Sequence, residues 1–277
     1  MKRGLIAAVL CLSATVGSAQ ERLIVARGDG AQVPMQVFGG DGAGCAPLLI
    51  LSHGFGGDEH GLKQLARAAA AEGFRAITIG HRESGRVQLR QVLASPNRRA
   101  ALARAVIDKA ANVARMADLD AAWAYAHRIC QPPFTVLAGH SMGAQLTMIE
   151  AGAQNVMAVK GRDRFDAYVA LSPQGVGPRF PQGAWRSVGK PTLMVTGTRD
   201  HGLDGRWRHR LAAFDGLPAG GKWLAVLDGA THRDMSGQGT SESQRNVRAI
   251  VLAFAKTMGK PSATDMPRLD GVRYRTK

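Results

Sequence analysis

The stretch that most constrains this chain is Phe134 to Ala144, which reads FTVLAGHSMGA. A short apolar run, Phe134 to Ala138, ends in Gly139-His140-Ser141-Met142-Gly143, and a helix-like segment, Ala144 to Ala151, comes at once after it. This is G-x-S-x-G between a strand and a helix, the context that gives the pattern meaning. The turn is so tight that the serine backbone must be strained. Glycines on both sides are required because a Cβ there would collide with the neighbouring strand and helix. Ser141 is thereby pushed out at the end of a sheet, beside the free N–H groups that begin the helix. That geometry suits a nucleophile that attacks a carbonyl and leaves an oxyanion beside backbone donors.

A serine hydroxyl needs a base to take its proton, and the base needs a third group to fix its tautomer. In an open α/β sheet such groups lie on loops after the carboxyl ends of strands. Pro191 to Thr196 is an apolar strand run followed by Gly197-Thr198-Arg199-Asp200. Trp223 to Leu227 is the next, followed by Asp228-Gly229-Ala230-Thr231-His232. Asp200 and His232 are therefore expected just past two successive strands, in the order Ser, Asp, His. Asp228 and Asp234 are rival acids, but both share the loop of His232, whereas Asp200 has the place after the preceding strand. A second oxyanion donor is expected after the earlier strand Pro47 to Ser52, in the loop His53-Gly54-Phe55-Gly56-Gly57. The backbone N–H groups of Phe55 and Met142 are the candidate oxyanion hole.

These residues carry a resemblance. Ser52 to Gly57 (SHGFGG), Gly139 to Ala144 (GHSMGA), Gly197 to Asp200 (GTRD) and Gly229 to His232 (GATH) resemble α/β-hydrolases of the dienelactone-hydrolase and platelet-activating-factor-acetylhydrolase-like group, which borders the bacterial cutinases. The resemblance covers roughly residues 23 to 256. It implies an α/β-hydrolase fold, a mostly parallel central sheet with helices on both faces, and hydrolysis of carboxylic esters or related acyl bonds without a cofactor or metal. Two departures matter. Polyester-cleaving cutinases commonly carry an aromatic in the loop after the strand that follows the nucleophile helix, and here that loop is Ser172-Pro173-Gln174-Gly175. Dienelactone hydrolases proper use cysteine, and position 141 is serine.

With 277 residues the chain fits one large α/β domain over 20–258, with a tail over 259–277 expected as a surface strap or a disordered segment. Met1-Lys2-Arg3, an apolar Leu5 to Leu12 and Val16-Gly17-Ser18-Ala19 read as a secretory signal peptide over 1–19. Export makes the protein periplasmic or secreted. Removing Cys11 with the leader leaves Cys45 and Cys130. They precede Phe55 and Ser141 by ten and eleven residues. At about 3.3 Å per residue along neighbouring parallel strands, both reach the far end of the sheet at similar height, so a Cys45–Cys130 disulfide is expected. The net charge of +15 falls to +13 without Lys2 and Arg3. Such a chain is weakly attracted to anionic surfaces. No nucleic-acid motif accompanies it, and no stretch approaches membrane-spanning length.

Strand–helix alternation implies the parallel sheet. Leu23 to Ala26 and Gln32 to Phe38 read as an opening hairpin, Leu62 to Ala71 as a helix, Arg75 to Ile79 as a strand, and 80–97 as an irregular rim insert. Arg98 to His127 reads as a long or broken helix whose second segment starts at Asp118. Asp166 to Leu171 is a strand, and Leu203 to Phe214 and Ser243 to Met258 are helices. His81, Arg82, Glu83, Gln174 and Trp185 are rim candidates without spacing that pins them. His53 and His140 read as loop-shaping residues, and His201, Asp204 and His209 lack metal-like spacing. A small rim and no extended lid favour ester hydrolysis of short or medium acyl groups on a small-molecule substrate. The alternatives are an amidase or peptidase with the same triad, or a non-catalytic binding protein on this scaffold.

Overall fold

Five-residue runs such as Leu48–Ser52 and Ala167–Leu171 are apolar on both faces and fully buried, the signature of strands covered by helices on two sides. A computed structural model describes residues 20–40, 44–203 and 205–277. The expected signal peptide lies outside the described residues.

Among the described residues nine strands form one sheet, in the order β1-β2-β4-β3-β5-β6-β7-β8-β9. They are β1 (Gln20–Ala26), β2 (Gln32–Phe38), β3 (Leu48–Ser52), β4 (Arg75–Ile79), β5 (Thr135–His140), β6 (Ala167–Leu171), β7 (Thr192–Arg199), β8 (Lys222–Thr231) and β9 (Val272–Thr276). The six central strands, β3 to β8, run parallel; β1, β2 and β9 are antiparallel at the two edges. The helices are α1 (Lys63–Ala71), α2 (Arg86–Ala94), α3 (Arg98–Val106), α4 (Lys109–Ile129), α5 (Met142–Glu150), α6 (Leu211–Asp215) and α7 (Glu242–Lys256).

Alternate residues of each strand feed two cores. Leu48, Ile50, Leu137 and Tyr168 pack with Leu119 and Ala122 of α4 and Leu146 and Ile149 of α5. Leu49, Leu51, Val136 and Val169 pack on the other face with Leu65 and Ala69 of α1 and Val247 and Phe254 of α7. Burying each large aliphatic side chain contributes about 1.5–3 kcal/mol. Among the described residues no helix is long and apolar enough to cross a membrane.

Three departures of the structure from the sequence expectations bear on the fold. The 80–97 insert is ordered: a 3₁₀ turn at Arg82–Ser84 leads into α2, which lies beside α3. The break in the 98–127 region falls at Asp108, not Asp118. Asp108 caps α4 by accepting the Ala111 N–H at 2.7 Å, while Asp118 is buried inside the helix. The 259–277 tail is not disordered: its last residues form β9, paired with β8 from Trp223 to Leu227.

Cys45 and Cys130 are joined by a disulfide, with Cα atoms 5.8 Å apart. They precede β3 and β5, at the sheet end opposite Ser141.

Candidate active site

Position 141 comes directly after the last residue of β5 and caps α5, with φ 56° and ψ −113°. A non-glycine residue held at positive φ is strained, and the surroundings must enforce it. A Cβ on Gly139 would overlap the Gly143 backbone, and a Cβ on Gly143 would overlap the Ser52 carbonyl. The Ser141 N–H is held by Leu171 O at 2.9 Å. Met142 is the first residue of α5, so its N–H has no partner within the helix. A Cβ on Gly54 would lie 3.2 Å from Ser141 Cβ, which brings the 52–57 loop against the elbow. In that loop Gly56 N–H donates to Ser84 O and Gly57 N–H to Gly54 O, whereas Phe55 N–H has no acceptor among the described residues.

Asp200 and His232 each come directly after the last residue of their strands, β7 and β8. His232 Nδ1 donates to Asp200 Oδ1 at 2.7 Å. Asp200 is fully buried, and its other oxygen accepts from Ser172 Oγ at 2.6 Å and Thr196 Oγ1 at 2.9 Å. Burial alone would raise its carboxyl. The His232 hydrogen bond and the Arg210 guanidinium outweigh burial and hold it below the usual carboxylate range. The rival acids have other tasks. Asp228 is exposed and accepts from Thr198 Oγ1, and Asp234 accepts from Thr231 N–H and Oγ1.

Ser141, His232, Met142 and Phe55 line one cleft of about 1050 Å³. Leu89 of α2 and Leu102 and Val106 of α3 give it an apolar wall. The cleft is thus walled by two helices, α2 from the 80–97 insert and α3 after it, rather than by the small rim expected from the sequence. Gln174 also lines the cleft, and its Nε2 donates to Ser141 O at 2.9 Å. Trp185 is buried in the core, away from it.

Three other histidines, His140, His53 and His81, are structural supports. His140 Nε2 donates to His232 O at 2.9 Å, its ring 4.8 Å from that of His232. Burial and then neighbouring His232 push the His140 imidazole down to about 3. His53 donates through Nδ1 to Gly54 O and accepts the His81 N–H at Nε2. Behind it lies a second Ser–His–Asp chain. Ser52 Oγ is 2.9 Å from His81 Nε2, and His81 Nδ1 is 2.9 Å from Asp118 Oδ2. All three are buried, so Ser52 is closed to a substrate. Arg115 stitches this chain to the loop through Ser52 Oγ, Ser84 Oγ and the His53 carbonyl. Glu83 pairs with Arg27. Neither Arg115 nor Arg210 was marked by any motif, because arginines on helices read as surface.

No protein-family model matches the chain, and no curated protein matches it. Solved structures do. A protein of Klebsiella pneumoniae subsp. pneumoniae described as a dienelactone hydrolase aligns over 86% of this chain and 99% of its own, at TM-score 0.64 and 20% identity. A Thermoplasma acidophilum protein described as a CIB-like hydrolase aligns over 87% and 100%, at TM-score 0.59 and 16% identity. A cold-adapted esterase from an Arctic intertidal metagenomic library aligns over 79% and 88%, at TM-score 0.56 and 16% identity. The chain has the α/β-hydrolase fold.

Proposed function

We propose that this protein is an exported serine hydrolase that cleaves carboxylic esters through an acyl-enzyme. The observation that carries the reading is the 2.7 Å His232–Asp200 hydrogen bond, opening into the cleft where Ser141 sits on its strained elbow. Ser141 Oγ attacks the ester carbonyl while His232 Nε2 takes its proton. Asp200 keeps the proton on Nδ1 and stabilises the imidazolium. The Phe55 and Met142 N–H groups receive the oxyanion. His232 then protonates the leaving alcohol, and water, deprotonated by the same base, releases the acid. The solved esterase and hydrolases of this fold support the general class of reaction. The apolar α2–α3 wall of Leu89, Leu102 and Val106 suits an aliphatic acyl group. The Cys45–Cys130 disulfide supports an oxidising compartment, in keeping with the leader-like 1–19.

The test is active-site labelling with a fluorophosphonate, wild type beside Ser141→Ala, and then p-nitrophenyl esters of rising chain length. The expected result is labelling and turnover by the wild type, both lost in Ser141→Ala. A folded wild type that takes no label overturns the reading and favours a binding protein. Matched anilides hydrolysed as fast as the esters would make it an amidase.

A further inference from the structure

Arg210 takes no part in acyl transfer itself, yet it touches two of the three groups that perform it. It ends the 3₁₀ turn Trp207–Arg210 and is only 6% exposed. Its Nε donates to Asp200 O at 2.9 Å, and its Nη1 to Ser172 O at 3.2 Å and Pro173 O at 2.9 Å. Its Nη2 lies 3.0 Å from Asp200 Oδ1 and 3.2 Å from His232 Nδ1. The place is shaped for it. A Cβ on residue 202, a glycine, would stand 2.6 Å from Nη2, and a Cβ on Gly175 would overlap the His209 backbone.

The contact with His232 has a definite electrostatic sense. The Nδ1 proton is committed to Asp200 Oδ1, so Nδ1 has no lone pair to offer Arg210. One donor, His232 Nδ1, is hydrogen-bonded to Asp200 Oδ1, Arg210 pairs with the same oxygen as a charge, and that permanent positive charge rests against the ring that must become a cation. Arg210 and Asp200, both buried, therefore act on the imidazolium with opposite signs. The other charged or titratable groups near the ring are few. His140, 4.8 Å away, is held neutral by burial, and Asp234 is engaged by Thr231. Arg233 on the same loop is exposed.

We infer that Arg210 is a positioning residue: its fork fixes Asp200 against His232 and the 172–173 turn, and its charge opposes that of Asp200 at the ring of the base. The inference rests on the Ser141–His232–Asp200 reading.

The test is kcat/KM against pH on p-nitrophenyl acetate for wild type, Arg210→Gln and Arg210→Lys, with Ser141→Ala alongside. In Arg210→Gln, Asp200 acts on the base unopposed, so the acidic limb should move to higher pH by at least about half a unit. Arg210→Lys keeps a charge but not the planar fork, so kcat should fall while the limb stays in place. A limb that does not move in Arg210→Gln means a structural role only and overturns the inference. If Arg210→Gln does not fold, Arg210→Lys decides: a lower kcat with an unmoved limb supports it, and a wild-type kcat or a displaced limb overturns it. Turnover surviving in Ser141→Ala would sink the triad reading itself. Loss of turnover there, with an unmoved limb in Arg210→Gln, would sink only the role of Arg210.

Discussion

Asp200 carries four polar contacts on two buried oxygens: His232 and Arg210 on Oδ1, Ser172 and Thr196 on Oδ2. A carboxylate so held stays ionised and keeps one orientation. Asp200→Asn would place an amide between the same partners and let the imidazole carry its proton on the wrong nitrogen. The expected outcome is a fall in kcat of about 10³–10⁴-fold, with the fold intact by circular dichroism. Full activity in that variant would mean that another group orients His232. The same residue shows how a role on a loop is assigned by neighbours. Asp228 also lies late in β8, but it turns outward to Thr198 and cannot reach His232 Nδ1 in place of Asp200.

At the scale of elements, the cleft is made by the loops that leave the carboxyl ends of the strands, and stability is anchored at the other end. β7 and β8 run on past the register shift near Gly197, so Asp200 and His232 leave the sheet side by side. A Cβ on Gly197 would overlap Ala230, so this close passage of the two strands requires glycine. The disulfide ties the segment before β3 to the end of α4, 85 residues apart in sequence. Replacing both cysteines by alanine should cost about 3–5 kcal/mol, chiefly by freeing the unfolded chain. Thermal melting should drop by on the order of 10 °C. The kcat/KM of the still-folded enzyme should not change, because the bridge is at the far end of the sheet. An unchanged melting temperature would count against any stabilising role.

Over the whole molecule, buried titratable groups set a pH dependence. His53 and His81 are buried, and burial, then the Arg115 charge, holds both well below the ordinary histidine range. Stability from a depressed histidine is present above its unfolded value near 6.5 and is lost as pH falls, because only the unfolded chain takes up the proton. Asp118 opposes this. Burial raises it to about 6 against the pull of Arg27, so the folded state binds its proton first, below pH 6. His140 is depressed in the same way, so three protons taken up by the unfolded chain against one by the native leave a net loss of two. Between about pH 6 and 4 stability should fall by about 2.7 kcal/mol per pH unit. Urea titrations at pH 7.5, 6 and 5 measure it, and equal midpoints would show that these histidines titrate alike folded and unfolded.

The sequence by itself determined whatever rests on spacing along the chain. G-x-S-x-G between a strand and a helix requires the strained turn at Ser141. Asp200 and His232 come after apolar runs of strand length, and the parallel sheet is implied by alternation with helices. Even the Cys45–Cys130 bridge is reached by counting residues back along neighbouring strands. Only the tertiary structure decided the rest. Val272–Thr276 is a strand because β8 offers it an unpaired edge, which no local pattern announces. Asp118 is a buried partner of Arg27 and His81 rather than a helix start, because α4 lies over them. Arg210 and Arg115 belong to the site because distant segments bring carbonyls, a carboxylate and hydroxyls around them. A solvated arginine and a buried one look alike in sequence; the contacts that separate them form only when the chain closes.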